Sequence, residues 1–423
     1  MDSTEVPLEL GRANRQRPGL EVADIFRAAG PAFRQSHALS SEQLQVMAAI
    51  ETCRTAALGG HVKLCPDCAK HREISYNSCR NRHCPKCQAL AQARWIAQRE
   101  QRILPTHYFH VVFTLSAALR PLAWRNRQQV FHLLFKTATE TLLELGEDPK
   151  RLGATLGITA VLHTWTRQLH FHPHLHCIVT GGGLNGQGQW VSTQPDFLFP
   201  VRVLSALFRG KFLANLRALH RQGQLELGQP TGRAHKPIEL ASLVHSLYRT
   251  KWVVYAKPPF GGPRQVFAYL GRYTHRVAIS NARLIAYVNG QVTFATKNGG
   301  SVTISDQEFI RRFLCHVLPK KFVKIRHYGL LSPCHAKTTL ERARQALPPL
   351  TTQADSASPD LQSLSEGIDQ PADNQDFSQP WTTLLAQLTG QDVTRCRHCG
   401  AVLRRLPLDH PDSRPPPATR DTS

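Results

Sequence analysis

Arg167-Gln-Leu-His-Phe-His-Pro-His-Leu-His-Cys-Ile-Val-Thr-Gly-Gly-Gly183 decides how this chain reads. From His174 onward it has the apolar weight of a strand. Alternation then puts His174 and His176 on one face and sends Leu175 into the core. Two imidazoles on one face can hold a divalent cation and leave coordination positions open for substrate. A strand whose histidines only satisfy core hydrogen bonds is the bland rival. It suits one histidine better than two followed by a triple glycine.

A third ligand is expected, and His163 is the choice. Gly157–Trp165 reads as the preceding strand, and a turn near Leu169–Phe171 would make a hairpin in which cross-strand neighbours share a face. His172 sits before Pro173 and is expected to look outward; Gln168 and His170 are lesser candidates. Farther along, Tyr269-Leu-Gly-Arg-Tyr273 spaces two phenols for one helical face, with Cβ atoms about 5–6 Å apart. Core packing is the usual fate of such a pair. Here Arg272, Thr274, His275 and Arg276 make the segment too polar for full burial, so the phenols are candidate nucleophiles. A metal paired with tyrosines in a basic chain points to transesterification on DNA.

The basic balance is large: 52 Lys+Arg against 30 Asp+Glu, a formal net charge of +22 over 423 residues. Between Arg344 and Arg395 there is no Lys or Arg, while seven acidic residues occur, so the rest is more basic still. This fits a polyanionic partner, nucleic acid, rather than a merely solvated surface. Hydrophobic content of 41% is enough for a sizeable core. The N-terminal residues lack a secretory pattern and no apolar run reaches membrane-spanning length. The expectation is a soluble protein of a reducing cytoplasm.

The eleven cysteines include Cys-x2-Cys pairs, which in a long chain favour zinc over disulfides. Cys65-Pro-Asp-Cys68 and Cys84-Pro-Lys-Cys87, with fifteen residues between the inner cysteines, look like two knuckles of one four-thiolate zinc site. Cys79 and His83 are spare donors that could replace a member or hold a second ion. Arg80, Arg82, Lys86 and Arg94 surround this knot as candidate phosphate contacts, as does Lys257 before a Pro/Gly loop. Cys396-Arg-His-Cys399 stands alone in sequence. It could borrow ligands, dimerise around zinc or stay as free thiols, with His398 and His410 as complements. Lys320-Lys321 and Arg326-His327-Tyr328 read as solvated charge before phosphate contacts, and Trp165 as a core residue before a stacking platform.

Helices are expected at about 21–29, from a capping box at Ser40-Ser-Glu-Gln43, at about 92–102, 127–144, 201–222 and 264–276, and over Ser305–Val317. Strands are expected at Tyr108–Leu115, Gly157–Trp165, His174–Thr180 and Lys251–Tyr255, with a hairpin from Ala278 to Ala295 turning at Asn289-Gly290. Residues 346–380 have linker composition. A short helix from Trp381 to Leu388 follows it.

His-Pro-His-Leu-His-Cys-Ile-Val-Thr-Gly-Gly-Gly-Leu is similar to the HUH signature of two-tyrosine rolling-circle transposases of the insertion sequence 91 type. Asn77–Gln88 resembles that family's N-terminal zinc domain, and Tyr269–Ser280 its tyrosine segment. The resemblance runs from about Arg54 to Leu331. It implies an α+β fold: an antiparallel palm-like HUH nuclease sheet with helices on one face, preceded by a helical zinc-binding domain. The chain would divide into a disordered 1–19, a zinc-binding DNA-recognition domain 20–104, a nuclease domain 105–345, a linker 346–380, a short helix and cysteine knuckle 381–410, and a disordered 411–423.

The resemblance also implies an enzyme that nicks and transfers single-stranded DNA at transposon ends. Structural Zn²⁺ would sit in the first domain. Mg²⁺ or Mn²⁺ would sit on His163, His174 and His176, and Tyr269 or Tyr273, with Tyr269 slightly favoured to start, would form a 5′-phosphotyrosine. Arg272, His275 and Arg276 would help the phenol lose its proton. No nucleotide cofactor is expected, since no G-x4-G-K-[ST] loop occurs, and a nucleoid-associated location in bacteria follows. Two rivals stand beside this: an HUH replication initiator or relaxase acting at a plasmid origin, and a non-catalytic zinc-finger DNA-binding protein.

Overall fold

The computed structural model describes residues 19–87, 102–228, 238–257, 278–334, 338–347 and 392–408, with single positions 382, 386 and 390. The expected helices at about 92–102 and 264–276, and nearly all of the one at Trp381–Leu388, lie outside the described residues. The chain opens with α1 (Val22–Ser36) and α2 (Ser41–Thr52), then β1 (Gly60–Leu64) and β2 (Arg72–Tyr76). There follow β3 (Tyr108–Thr114), α3 (Arg120–Arg125), α4 (Arg127–Glu147), β4 (Thr155–Trp165), β5 (Phe171–Leu184) and β6 (Trp190–Ser192). Next come α5 (Val201–Arg221), α6 (Leu240–Arg249), β7 (Val254–Lys257), β8 (Leu284–Val288), β9 (Gln291–Ala295) and β10 (Ser301–Ser305). The last are α7 (Asp306–Leu314), β11 (Ile325–Gly329), α8 (Thr338–Ala346) and β12 (Arg404–Pro407).

The central sheet is antiparallel, in the order β11-β4-β5-β3-β7, with β6 beside the far end of β5. Its strands alternate cleanly. Phe109, Val111, Phe113, Ile158, Ala160, Leu162, Leu175, Cys177 and Val179 all turn to one side and are fully buried there against α4, α5 and α6. Period-two patterning thus sets which face the helices cover. The chain has the expected α+β architecture, with an antiparallel sheet carrying helices on one face.

The triple glycine of β5 answers to close packing. A Cβ at Gly182 would stand 2.5 Å from the Val191 carbonyl oxygen, and one at Gly183 2.3 Å from that of Thr155. Backbones of β4 and β6 therefore approach β5 where no side chain can intervene.

A second core joins α1 and α2 to residues far along the chain. Phe26, Phe33, Met47 and Ile50 pack with Leu169, Phe294, Phe309 and Phe313. The two N-terminal helices do not close a core of their own. Local signals nevertheless place them: Ser40 caps α2 by accepting from the Gln43 amide at 3.2 Å, and the Gln43 side chain accepts from the Ser40 amide at 3.0 Å. The β8–β9 hairpin turns where expected, with Asn289 and Gly290 at φ of 50° and 72°. β7 lies later than the expected Lys251–Tyr255, because Trp252 is taken into the core against Phe208 and Phe212. Among the described residues no helix is long and apolar enough to cross a membrane.

Candidate metal centre and nucleic-acid site

The face of the sheet opposite the helices carries the histidines. Register places His174 opposite His163 on β4 and Thr114 on β3, and His176 opposite Val161 and Val112. The reversal between β4 and β5 is a tight turn in which the Thr166 amide donates to the His170 carbonyl at 3.0 Å and Leu169 adopts a φ of 63°. That turn brings His163, His174 and His176 together, with one ring nitrogen from each lying within 4.8 Å of the others.

Two neighbours orient the rings. The His174 Nδ1 lies 2.7 Å from the His172 carbonyl oxygen. A carbonyl only accepts, so Nδ1 carries the proton and the Nε2 lone pair of the neutral ring is left for a ligand. The His176 Nδ1 lies 2.7 Å from His110 Nε2 on β3, the two rings stacked at 5.0 Å. Burial pushes the His174 pKa down to about 4, and burial together with the surrounding imidazoles holds His176 well below the usual histidine range. Burial and then Lys257 take His110 to about 4. His110, His174 and His176 are therefore neutral at physiological pH, the protonation state in which imidazole binds metal.

His110 is absent from the sequence expectations. Its signal is a histidine inside the apolar run Tyr108–Leu115, in phase with the face opposite Val111 and Phe113. Lys257 pairs with His110 across β3 and β7 and is exposed. His172 does not join the triad; its Nδ1 meets the Arg120 guanidinium at 3.0 Å. His170 and Gln168 are exposed in the turn. Trp165 stacks on His163, ring centroids 4.7 Å apart.

The cysteines sort differently from their spacing. Cys65 and Cys68 do not meet Cys84 and Cys87. One cluster is Cys53, Cys79, Cys84 and Cys87; the other is Cys65, Cys68, Cys396 and Cys399. The single site expected from the two knuckles is thus replaced by two. The physical reason is that the β1–β2 hairpin carries the first knuckle away, while Cys53 at the end of α2 and Cys79 fill in around the second. His83 is in neither cluster. Its Nε2 accepts from the Leu318 amide at 3.2 Å and its Nδ1 meets Asn81 Oδ1 at 3.2 Å, and burial takes its pKa to about 3.

The cations around the knot also divide. Arg82 donates to the carbonyls of Phe322 at 2.6 Å and Pro319 at 3.0 Å, and Lys86 forms an ion pair with Glu21. Both tie the knot to neighbouring segments rather than standing ready for phosphate. Arg80 is exposed. Arg326 lies over the Phe135 ring at 4.1 Å, on the helix side of the sheet, so it is not part of a solvated charge run. Tyr269, Tyr273, Arg272, His275, Arg276, Arg94 and His410 lie outside the described residues.

Comparison with known proteins bears on this arrangement. Residues 25–115 match the family model described as "Transposase zinc-binding domain", and residues 157–339 match one described as "Putative transposase". "Putative transposase y4qJ" of Sinorhizobium fredii is 44% identical over 392 residues, covering 90% of this chain and 94% of that protein. The chain belongs to the insertion sequence 91 family of transposases. The "Transposase for insertion sequence element IS801" of Pseudomonas savastanoi pv. phaseolicola is 29% identical over 306 residues, 69% of this chain and 70% of that protein. No solved structure matches the transposase. As a transposase it is an enzyme that acts on DNA. Its zinc-binding domain holds a soft four-thiolate set, Cys53, Cys79, Cys84 and Cys87, of the kind structural zinc takes.

Proposed function

We propose that this transposase nicks single-stranded DNA at the ends of its element and transfers the strand through 5′-phosphotyrosine linkages, by a rolling-circle route. The observation that carries the reading is the convergence of His163, His174 and His176 on the open face of the sheet. These imidazoles, with coordination positions left open, would hold a divalent cation, which in this reading is Mn²⁺ or Mg²⁺. A divalent cation held there would supply Lewis-acid polarisation of the scissile phosphate. Cys53, Cys79, Cys84 and Cys87 would hold the zinc of the N-terminal domain.

The chain's own groups would do the rest. His110 and the His172 carbonyl fix the ring orientations of His176 and His174. Lys257, at the edge of the same face, attracts the DNA backbone. Tyr269 or Tyr273 attacks in line: an oxygen–phosphorus bond forms, the bond from phosphorus to the 3′-oxygen breaks, and the phenolic proton leaves for a neighbouring base or solvent. A phenol ionises near pH 10 (about 10), so Arg272, His275 or Arg276 would favour the phenolate. The 3′-oxygen takes a proton from solvent and departs as a hydroxyl, and the phosphotyrosine retains the energy of the broken diester, so rejoining needs no nucleotide. With two phenols, one holds the first end while the other attacks a second phosphodiester.

Labelled single-stranded DNA carrying element ends, incubated with Mn²⁺ or Mg²⁺ and run on a denaturing gel, tests this. A covalent adduct mapping to Tyr269 or Tyr273, lost in the Tyr269→Phe/Tyr273→Phe chain, is expected. Cleavage unchanged in that double variant would overturn the reading.

A further inference from the structure

We infer that Cys65, Cys68, Cys396 and Cys399 form one structural zinc site, so that a zinc ribbon begun near the N-terminal end of the chain is completed by its C-terminal tail. The four sulfurs lie within 4.8 Å of one another, although they are separated by up to 334 residues. Cys65 Sγ is 3.4 Å from Cys399 Sγ, and Cys68 Sγ is 3.7 Å from Cys396 Sγ. A tetrahedron with zinc–sulfur bonds of about 2.3 Å has sulfur–sulfur edges of about 3.8 Å. The observed separations fall close to that edge, and all four cysteines are free.

The backbone supports the site independently of the sulfurs. β12 pairs antiparallel along β1, with Leu64 opposite Arg404 and His61 opposite Pro407, so β1 is the middle of a three-stranded sheet. Each cysteine pair sits in the same kind of turn. In the first, the Cys65 amide donates to the His71 carbonyl at 3.0 Å and Ala69, just after the second cysteine, has a φ of 55°. In the second, the Cys396 amide donates to the Ala401 carbonyl at 2.7 Å and Gly400, at the corresponding place, has a φ of 77°. The His398 amide also points at Cys396 Sγ, 3.4 Å away. Amide donors aimed at sulfur stabilise a thiolate.

This assigns partners to the tail cysteines. The matched zinc-binding model stops at residue 115, so half of the ligands lie outside it. The whole nuclease sheet is then an insertion between the two halves of one metal site. The inference does not depend on the nicking reading.

Zinc content is the first test. The full-length chain purified under reducing conditions, without DNA, should carry one more zinc ion than the Cys396→Ser/Cys399→Ser chain, measured by plasma mass spectrometry. A second test keeps all cysteines. A protease site is engineered between residues 355 and 375 and cut, and the products are run on a sizing column. The tail fragment should travel with the body and be released by a chelator together with one zinc ion. Equal zinc in the wild-type and double-variant chains would overturn the inference. So would a tail that leaves the zinc-loaded body, or one that resists chelator and is released by reductant alone, which would mean disulfides.

Discussion

The two faces of the central sheet are built from the same strands, yet they are chemically opposite. On the helix side, Phe109, Val111 and Phe113 of β3, Ile158, Ala160 and Leu162 of β4, and Leu175, Cys177 and Val179 of β5 are apolar and buried. On the other, Val112, Val161 and Ile178 share the alternate positions with His110, His163, His174, His176 and His327, and Lys257 lies at the edge. A one-residue step such as Leu175 to His176 or Leu162 to His163 therefore crosses from the apolar core face to the histidine-bearing one. Separating the two faces lets the histidine-bearing side change without disturbing the core that holds it.

Substitution on each face should separate the two. The largest effect is expected on the open face. His174→Ala or His176→Ala should lower DNA cleavage by on the order of 10²–10³, with thermal stability nearly unchanged; gel-based nicking rates and a melting curve on the same sample decide it. A variant that melts early instead would make those rings structural. One residue over, Leu175→Ala should lower stability by about 2–5 kcal/mol, while the Mn²⁺ dependence of cleavage, measured well below the melting point, stays at the wild-type value.

A finer test concerns His110. His110→Phe should weaken divalent-ion affinity by about 10–100-fold, read from titration calorimetry with Mn²⁺, and His110→Gln should restore part of it. Loss of maximal rate at saturating Mn²⁺ without a change in affinity would contradict a positioning role. The smallest effect is in pH dependence. His110 and His174 are pushed from 6.5 to about 4 by burial, so the unfolded chain binds protons that the folded one refuses. Stability of the metal-free chain should be level above pH 7 and fall as pH drops from about 6.5 toward 4. His110→Phe should make that fall shallower by up to one proton's worth, seen in melting curves across pH. A stability that rises on acidification would reverse the sign and exclude neutral buried rings.

Positions are legible in the sequence where local geometry determines them. His163 could be chosen because a short turn between two alternating strands leaves few registers, and the observed one puts it directly opposite His174. The Asn289-Gly290 turn and the Ser40 cap were readable for the same reason. The cysteines failed because spacing is one-dimensional: nothing near Cys53 announces that it meets Cys79, Cys84 and Cys87, and nothing near Cys396 announces Cys65. β11 went unread because its five residues mix Arg326 and Tyr328, turned to the helices, with His327, turned the other way. Lys86 looked like a phosphate contact until its partner, Glu21, was brought up by the fold of the first helix.

The pairing of β1 with β12 has a consequence for synthesis. The first knuckle emerges from the ribosome 328 residues ahead of its mate, and at about 5–20 residues per second that is a delay of roughly a quarter of a minute to a minute. Through that interval one edge of β1 is bare and two thiols have no partners. On a polysome, the tail of an older neighbouring chain is the nearest complementary strand, so exchange of tails between nascent copies is the misassembly to which this topology is most exposed.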